Sequence, residues 1–427
     1  MTNGTTPAFR TGTASGIRHN RTLRVLFAAE TTSMLGTQLS AVAMPWLVLQ
    51  LTGSSSDMGL VMAAQLAAIA VFGFFGAAWT GRLGPRRVML LGDTVRGPLV
   101  ALLPALYYLD CLNTATFAVV MFAIGAFYAP YTASQQALLP GVVGEDEHLL
   151  ARANATLQSA TRLSVLLGPL LGGALTSLFG APTVLIMDAV SFVCSAVLLR
   201  LCLPPHMGRT APATGRRSPA AGIRLLLRDR LLGSWSAALA LGEMAWQALF
   251  ALLPVIAVSR GEGSSVVAGA LLTSFGGGAL TGTLLAGRLA RKVPARVLAL
   301  TGRVALGVGF LALALPLGLP YLFCLLVCVS FFNGLSSAPV ATVRLLRIPE
   351  SRRPETLTVA TALTLAGGTA GWVLSGTVAE HAGLTPAFWG LATLQLTSAA
   401  LFVFGALGTA APAPLSLAPT HPVKDSR

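Results

Sequence analysis

The sequence predicts an all-α polytopic membrane protein: twelve transmembrane helices in two pseudo-symmetric bundles of six. Three observations predict it. Charged residues make up 10% of the 427, against roughly 25% in a soluble domain, while apolar residues reach 54%. Apolar stretches long enough to cross a ~30 Å hydrocarbon core recur twelve times. The basic residues then segregate to alternate connections.

The stretches run over about 23–51, 58–80, 87–109, 115–139, 153–178, 182–203, 231–258, 265–287, 296–318, 320–343, 356–379 and 385–408. Turn chemistry separates them, as at Thr52-Gly53-Ser54-Ser55, Leu83-Gly84-Pro85, Phe179-Gly180-Ala181-Pro182 and Gly318-Leu319-Pro320. The first span follows a polar tail and stays apolar past Ala43, unlike a cleaved signal peptide. With the N-terminus in the cytoplasm, the inner segments hold 25 Lys and Arg, the outer connections only Arg260. Both termini are therefore expected in the cytoplasm, in a multi-pass protein of the cytoplasmic membrane.

The net charge of +14 then describes topology and contact with anionic lipid at the cytoplasmic face. It is no nucleic-acid footprint, because the basic loops lack interleaved aromatics. Only Lys292 and Lys424 are lysines and neither precedes Ser or Thr, which excludes a Walker A loop. The five cysteines (Cys111, Cys194, Cys202, Cys324, Cys328) show neither a disulfide framework nor zinc spacing; Cys324 and Cys328 read as packing residues. The five histidines lie in tails or connections and form no helix-face cluster, so no catalytic or metal site is expected.

The halves repeat. Gly81-Arg82-Leu83 closes span 2 and Gly287-Arg288-Leu289 closes span 8, each before a basic loop, at an offset of 206 residues. This divides the chain into a tail at 1–22, a bundle at 23–203, a basic linker at 204–230, a bundle at 231–410 and a tail at 411–427. Within the linker, residues 223–228 read as a short amphipathic helix on the inner surface. The last tail carries four prolines and reads as disordered. Small-x3-small pairs that permit close helix approach fall at Ala77/Gly81, Gly168/Gly172, Gly278/Gly282 and Gly367/Gly371.

Several segments carry a resemblance. They are Leu35-Gly36 and Ala43-Met44-Pro45-Trp46-Leu47-Val48 in span 1, Gly92-Asp93-x2-Arg96 in span 3 and Asp188-Ala189-x-Ser191-Phe192 in span 6. The most specific run is Leu139-Pro140, then Leu149-x-Ala151-Arg152-Ala153-Asn154, then Gly168-Pro169-x2-Gly172-Gly173. Over residues 20 to 408 the chain resembles the major facilitator superfamily. Its look is that of the bacterial exporter branch with macrolide efflux proteins and the enterobactin exporter. The resemblance implies the major facilitator fold, and the Gly168, Pro169, Gly172, Gly173 element is similar to a motif of antiporters. The loop between spans 2 and 3 reads Gly81-Arg82-x-Gly84-Pro85-Arg86-Arg87 where the superfamily has Asp-Arg-x-Gly-Arg-Arg. The family's carboxylate helps latch the halves on the inner side; here that position is Gly81.

Charged groups inside spans are costly and read as functional candidates. They are Glu30, Asp93, Arg96, Arg162, Asp188, Glu243 and Arg303. Asp93 and Arg96 are three apart on one helix and placed to pair. Asp188 stands near the outer end, where it can anchor a helix. Arg162 and Arg303 can partner acids or an anionic substrate group. Four acids against three arginines leave one acid over. Glu243, near mid-span with Trp246, Gln247 and Phe250 at helical spacing, is the first coupling or substrate candidate, and Glu30 the second. Buried without a counter-charge, a carboxylate is costly to ionise, which suits reversible proton binding. The alternative is a hydrogen-bonded carboxyl that holds helices together. Gln38, Gln65, Gln135, Gln158 and Trp46 can line the same cavity.

These features point to a secondary transporter using the proton gradient, with no bound cofactor. It would export a drug-like molecule or specialised metabolite by alternating access, working as a monomer. An importer of the same fold is the alternative. A membrane enzyme or receptor lacks a supporting cluster.

Overall fold

The computed structural model describes residues 21–143, 147–202, 219–260, 263–290, 292–315, 318–349 and 352–407. Side chains are not described at 21–22, 74–82, 140–141, 202, 219, 260 and 354, nor over 143–160 apart from Ala153. The tails 1–20 and 408–427 and the linker segment 203–218 fall outside, so the expectations placed on them do too.

The described residues fold into thirteen helices and no strand. The first half comprises α1 (Arg21–Thr52), α2 (Ser55–Leu83), α3 (Pro85–Tyr108), α4 (Thr114–Val143), α5 (Glu147–Phe179) and α6 (Ala181–Cys202). A short α7 (Pro219–Arg228) leads into the second half. That half comprises α8 (Arg230–Arg260), α9 (Ser265–Leu289), α10 (Ala295–Leu313), α11 (Leu319–Arg347), α12 (Arg353–His381) and α13 (Leu384–Ala406). Every helix but α7 contains a stretch long and apolar enough to span a membrane, twelve in all. An even number of crossings puts the start of α1 and the end of α13 on one side, called the termini side below; the other is the far side.

Helix ends follow local chemistry. Gly53, Gly84, Gly180 and Gly383 take positive φ between successive helices, a conformation other residues rarely adopt. The ninth span is shorter than the apolar run suggests: α10 stops at Leu313. Pro316 disfavours helical backbone at Leu315 before it.

An apolar core fills each half, the first reaching across to Ala251, Ala257 and Ala268 of the second. Leu47, Met58, Phe117, Met121 and Phe192 anchor one, and Trp246, Leu249, Phe310 and Leu326 the other. Small residues set the helix spacing. Gly168 and Gly172 of α5 lie against Gln38 and Leu39 of α1. Their counterparts Gly367 and Gly371 of α12 lie against Ala240 and Met244 of α8. The same logic brings Gly278 and Gly282 of α9 onto α11. Cys324 and Cys328, expected to pack, are instead exposed on α11: Leu322, Leu326 and Val329 fill its buried face.

The helix α7 begins four residues before the amphipathic segment read from sequence. Gly222 sits against the start of α12 at Glu355 and Thr356, and Leu226 is buried. Ile223, Arg224, Leu227 and Arg228 remain exposed on the other face.

Candidate functional site

Buried charge gathers in two places, one per half. In the first half, α1, α3 and α6 bring Glu30, Asp93 and Asp188 around a single arginine, Arg96. The expected Asp93–Arg96 ion pair does not form. Asp93 Oδ2 instead accepts hydrogen bonds from the Ser195 hydroxyl (2.6 Å) and the Tyr131 hydroxyl (3.4 Å). Those donors come from α6 and α4, so the helix's neighbours outcompete its own next turn. The Arg96 guanidinium lies over the Phe192 ring, 4.1 Å from its centroid, with Tyr131 on another side. Asp188 accepts from Ser40 (2.6 Å) and Ser191 (3.3 Å). Gln135 of α4 hydrogen-bonds Glu30, whose Oε2 is buried without a partner.

The second half repeats the arginine. Arg303 of α10 lies 5.2 Å from the Phe402 ring of α13 and reaches Asn333 at 3.4 Å. Its charge acts on Glu243 of α8, which is half-buried. The Glu243 Oε1 accepts a hydrogen bond from Gln247 Nε2 (2.8 Å). The Gln247 Oε1 in turn accepts from the Trp372 indole of α12 (3.1 Å). An indole N–H only donates, which fixes the orientation of the amide between them.

A cavity of about 370 Å³ lies beside the first cluster. Gln38, Gln65, Tyr128, Arg96, Asp188 and Gln247 give it polar walls, and Met44, Met62 and Ile124 apolar ones. All its lining residues except Gln247 belong to the first half. Gln247 therefore joins the second-half carboxylate to the cavity. Trp246 does not line it; it packs among Phe250, Phe275 and Phe310 in the aromatic core of its half. Trp46 borders a different cavity near the far side. Arg162 is exposed on α5 and joins neither cluster. Gln158, Gly81 and Arg82 fall where side chains are not described.

Two crossings join the halves toward the far side, and they are copies of each other. Ser55, first residue of α2, donates its hydroxyl to the Gly376 carbonyl of α12 (2.9 Å). Ser265, first residue of α9, does the same to the Gly173 carbonyl of α5 (2.9 Å). One turn on, Gly59 faces the Trp372 carbonyl and Gly376 Cα, while Gly269 faces the Pro169 carbonyl and Gly173 Cα. The Gly-Pro-x2-Gly-Gly element thus has two faces. Gly168 and Gly172 serve packing within the first half, while Pro169 and Gly173 meet the second.

At the termini side, Arg86 donates to the Arg200 carbonyl near the end of α6 (3.1 Å), and Arg296 donates to the Ala406 carbonyl ending α13. Each cation neutralises the negative end of a helix. Gly84 supplies the positive φ that starts α3, and Arg87 is exposed.

A profile described as Major Facilitator Superfamily matches residues 26–343 and again 261–424. The chain belongs to the major facilitator superfamily. It is similar to the multidrug efflux pump Tap of Mycolicibacterium fortuitum, 28% identical over 391 residues, covering 90% of this chain and 95% of the relative. It is also similar to the enterobactin exporter EntS of Escherichia coli O1:K1, 28% identical over 328 residues and 74% of each chain. Among solved structures, the D-xylose-proton symporter superposes with a TM-score of 0.68 at 14% identity, covering 89% of this chain and 96% of that one. That likeness shows the fold. The chain is thus a multi-pass membrane transporter of this superfamily, with exporters among its relatives. Sequence reasoning passed over Trp372 and the Ser55/Ser265 crossings. The repeated Ser-x3-Gly at the starts of spans 2 and 8 was the signal available.

Proposed function

We propose that this transporter exports a drug-like molecule or specialised metabolite from the cytoplasm in exchange for protons. The observation that carries the reading is the cavity walled by the first half and closed by Gln247 of the second, with a carboxylate tied to it from each half: Asp188 directly and Glu243 through Gln247. Proton binding at such a carboxylate changes its charge and hydrogen bonding, and so the relative stability of two access states. Glu243 is the first coupling candidate, with Glu30, Asp93 and Asp188 as competitors. Arg96 sets the charge balance of the first cluster, and Gln38 offers an amide to the substrate. In this reading the termini face the cytoplasm, the exposed basic residues of α7 face anionic lipid, and the protein works as a monomer. The relatives' printed roles as efflux pump and exporter support the direction.

Import through the same fold is the second reading, favoured by the fold it shares with a proton symporter. Everted membrane vesicles decide between them. Exporter function predicts proton-driven accumulation of a probe such as ethidium, or of a compound that cells carrying the gene resist. Accumulation only in right-side-out vesicles would establish import instead.

A further inference from the structure

The two far-side crossings share the same serine and glycine contacts until one turn past the shared glycines. There the α12 crossing has Glu380, while the α5 crossing has Ser177. Glu380 Oε2 accepts two hydrogen bonds from the first turn of α2. One comes from the Ser54 hydroxyl (2.7 Å), the other from the Ser56 backbone N–H (2.8 Å). Ser54 caps that helix, accepting the Asp57 N–H on the same hydroxyl (3.0 Å). A carboxylate of the second half therefore completes the N-terminal cap of a helix in the first half. At the other crossing the cap residue Ser264 makes no side-chain cap bond.

The placement is electrostatically one-sided. Glu380 lies in the last turn of α12, where the negative end of its own helix disfavours an acid. The positive end of α2 offsets this while the halves are closed at the far side, with a smaller contribution from the neighbouring His381. The carboxylate is exposed and borders an open cavity of about 520 Å³ with Trp46, Gln50, Ser55 and Val255, so water reaches it. We infer that Glu380 is a gating residue of the transport cycle: its carboxylate latches the start of α2 when the far side is closed, and far-side opening requires its release. The Ser55 and Ser265 hydroxyl bonds and the glycine contacts supply a symmetric seal; Glu380 supplies an extra, charged hold on one crossing alone. The α2–α12 seam is therefore the last of the two to part.

The test needs no substrate, so its failure is separable from failure of the export reading. The full-length protein, with its native cysteines replaced, carries spin labels at Leu109 and Tyr321. Both are exposed, and they lie in opposite halves near the far side. Distance distributions are recorded in lipid nanodiscs for the parent, Glu380→Ala, Glu380→Gln and Ser54→Ala. Loss of a charge-assisted hold on a solvated helix end predicts a roughly fivefold rise in the ratio of far-side-open to far-side-closed molecules for Glu380→Ala. Glu380→Gln keeps an acceptor without the charge and gives a smaller rise. Ser54→Ala removes one donor and moves the ratio the same way. Unchanged distances in folded Glu380→Ala, or a shift toward closure, would overturn the proposal. A drop in melting temperature without a change in the open-to-closed ratio would also overturn it, since that is a purely structural contribution.

Discussion

Gly59 and Gly269 offer a direct measurement of how tightly the far side is sealed. A Cβ at Gly269 would overlap the Pro169 carbonyl oxygen and stand 3.1 Å from Gly173 Cα. A Cβ at Gly59 would overlap the Trp372 carbonyl oxygen and stand 3.5 Å from Gly376 Cα. The obstacles are backbone atoms of another helix, which no rotamer change can move. Gly59→Ala or Gly269→Ala must therefore push two helices apart by about 1 Å, at an overpacking cost of about 1–3 kcal/mol. That cost falls on the far-side-closed state alone, because the opposing helices separate when the side opens. The ratio of open to closed should rise by about 5- to 150-fold. Spin-label distances between Leu109 and Tyr321 read it out. Gly390→Ala on α13 is the control, since nothing lies within 4 Å of its Cβ position. If both crossing variants fold and their distances match the parent while the control is silent, the glycine crossings do not form the seal.

Three further outcomes are expected. Cys111 lies exposed in the connection between α3 and α4 on the far side. A membrane-impermeant maleimide should label it in intact cells, and Cys111→Ser should remove that label; labelling only after lysis would invert the orientation. Glu243→Gln should lower proton-driven export more than about tenfold with substrate binding largely kept, as charge is lost and volume preserved. Export against a gradient at the parental rate would pass the coupling role to Glu30, tested in parallel by Glu30→Gln. Gly81→Asp should favour closure of the termini side by about two- to fivefold, the scale of an exposed ion pair, as the resemblance and the nearby Arg82, Arg86 and Arg87 imply. Unaltered distances across that side would dismiss a latch there.

Hydrophobic length made the twelve spans readable, because a bilayer demands it of every crossing regardless of its partners. Contacts between helices were much less readable. Asp93 and Arg96 illustrate the difference. Their spacing predicted a local pair, but Ser195 and Tyr131, far away in sequence, supply better-placed donors. Trp246 was chosen for its proximity to Glu243 along the helix, yet its ring turns into the aromatic core. Gln247, one residue on, is the side chain that reaches the cavity. Counting acids against arginines also failed to describe the balance. Arg162 is exposed, and the rest divide as three acids around Arg96 and one facing Arg303. A count over the whole chain cannot see that Arg96 and Arg303 act on separate sets of acids.

Glu380 escaped notice for a related reason. At the end of a span it looks like an ordinary interfacial charge, and only the repeat exposes it. Once Ser55-x3-Gly59 is set beside Ser265-x3-Gly269, their contact positions on α12 and α5 correspond, with Gly376 matching Gly173, and Glu380 then stands opposite Ser177. The asymmetry acquires weight from the other end of the same helix pair. The resemblance places an acid at position 81 of α2, on the termini side, where this chain has glycine. In this chain the acid is instead on α12, on the far side, at the opposite end of the same two helices. A carboxylate that stabilises one closed face raises the free energy needed to open that face by its own contribution. Moving it from one end to the other therefore reverses which access state it favours. The symmetric serine and glycine contacts hold both far-side crossings equally; Glu380 tilts the equilibrium further toward far-side closure. A resting transporter poised that way presents its cavity to the termini side, which is the loading side of an exporter if the termini are cytoplasmic, as proposed above.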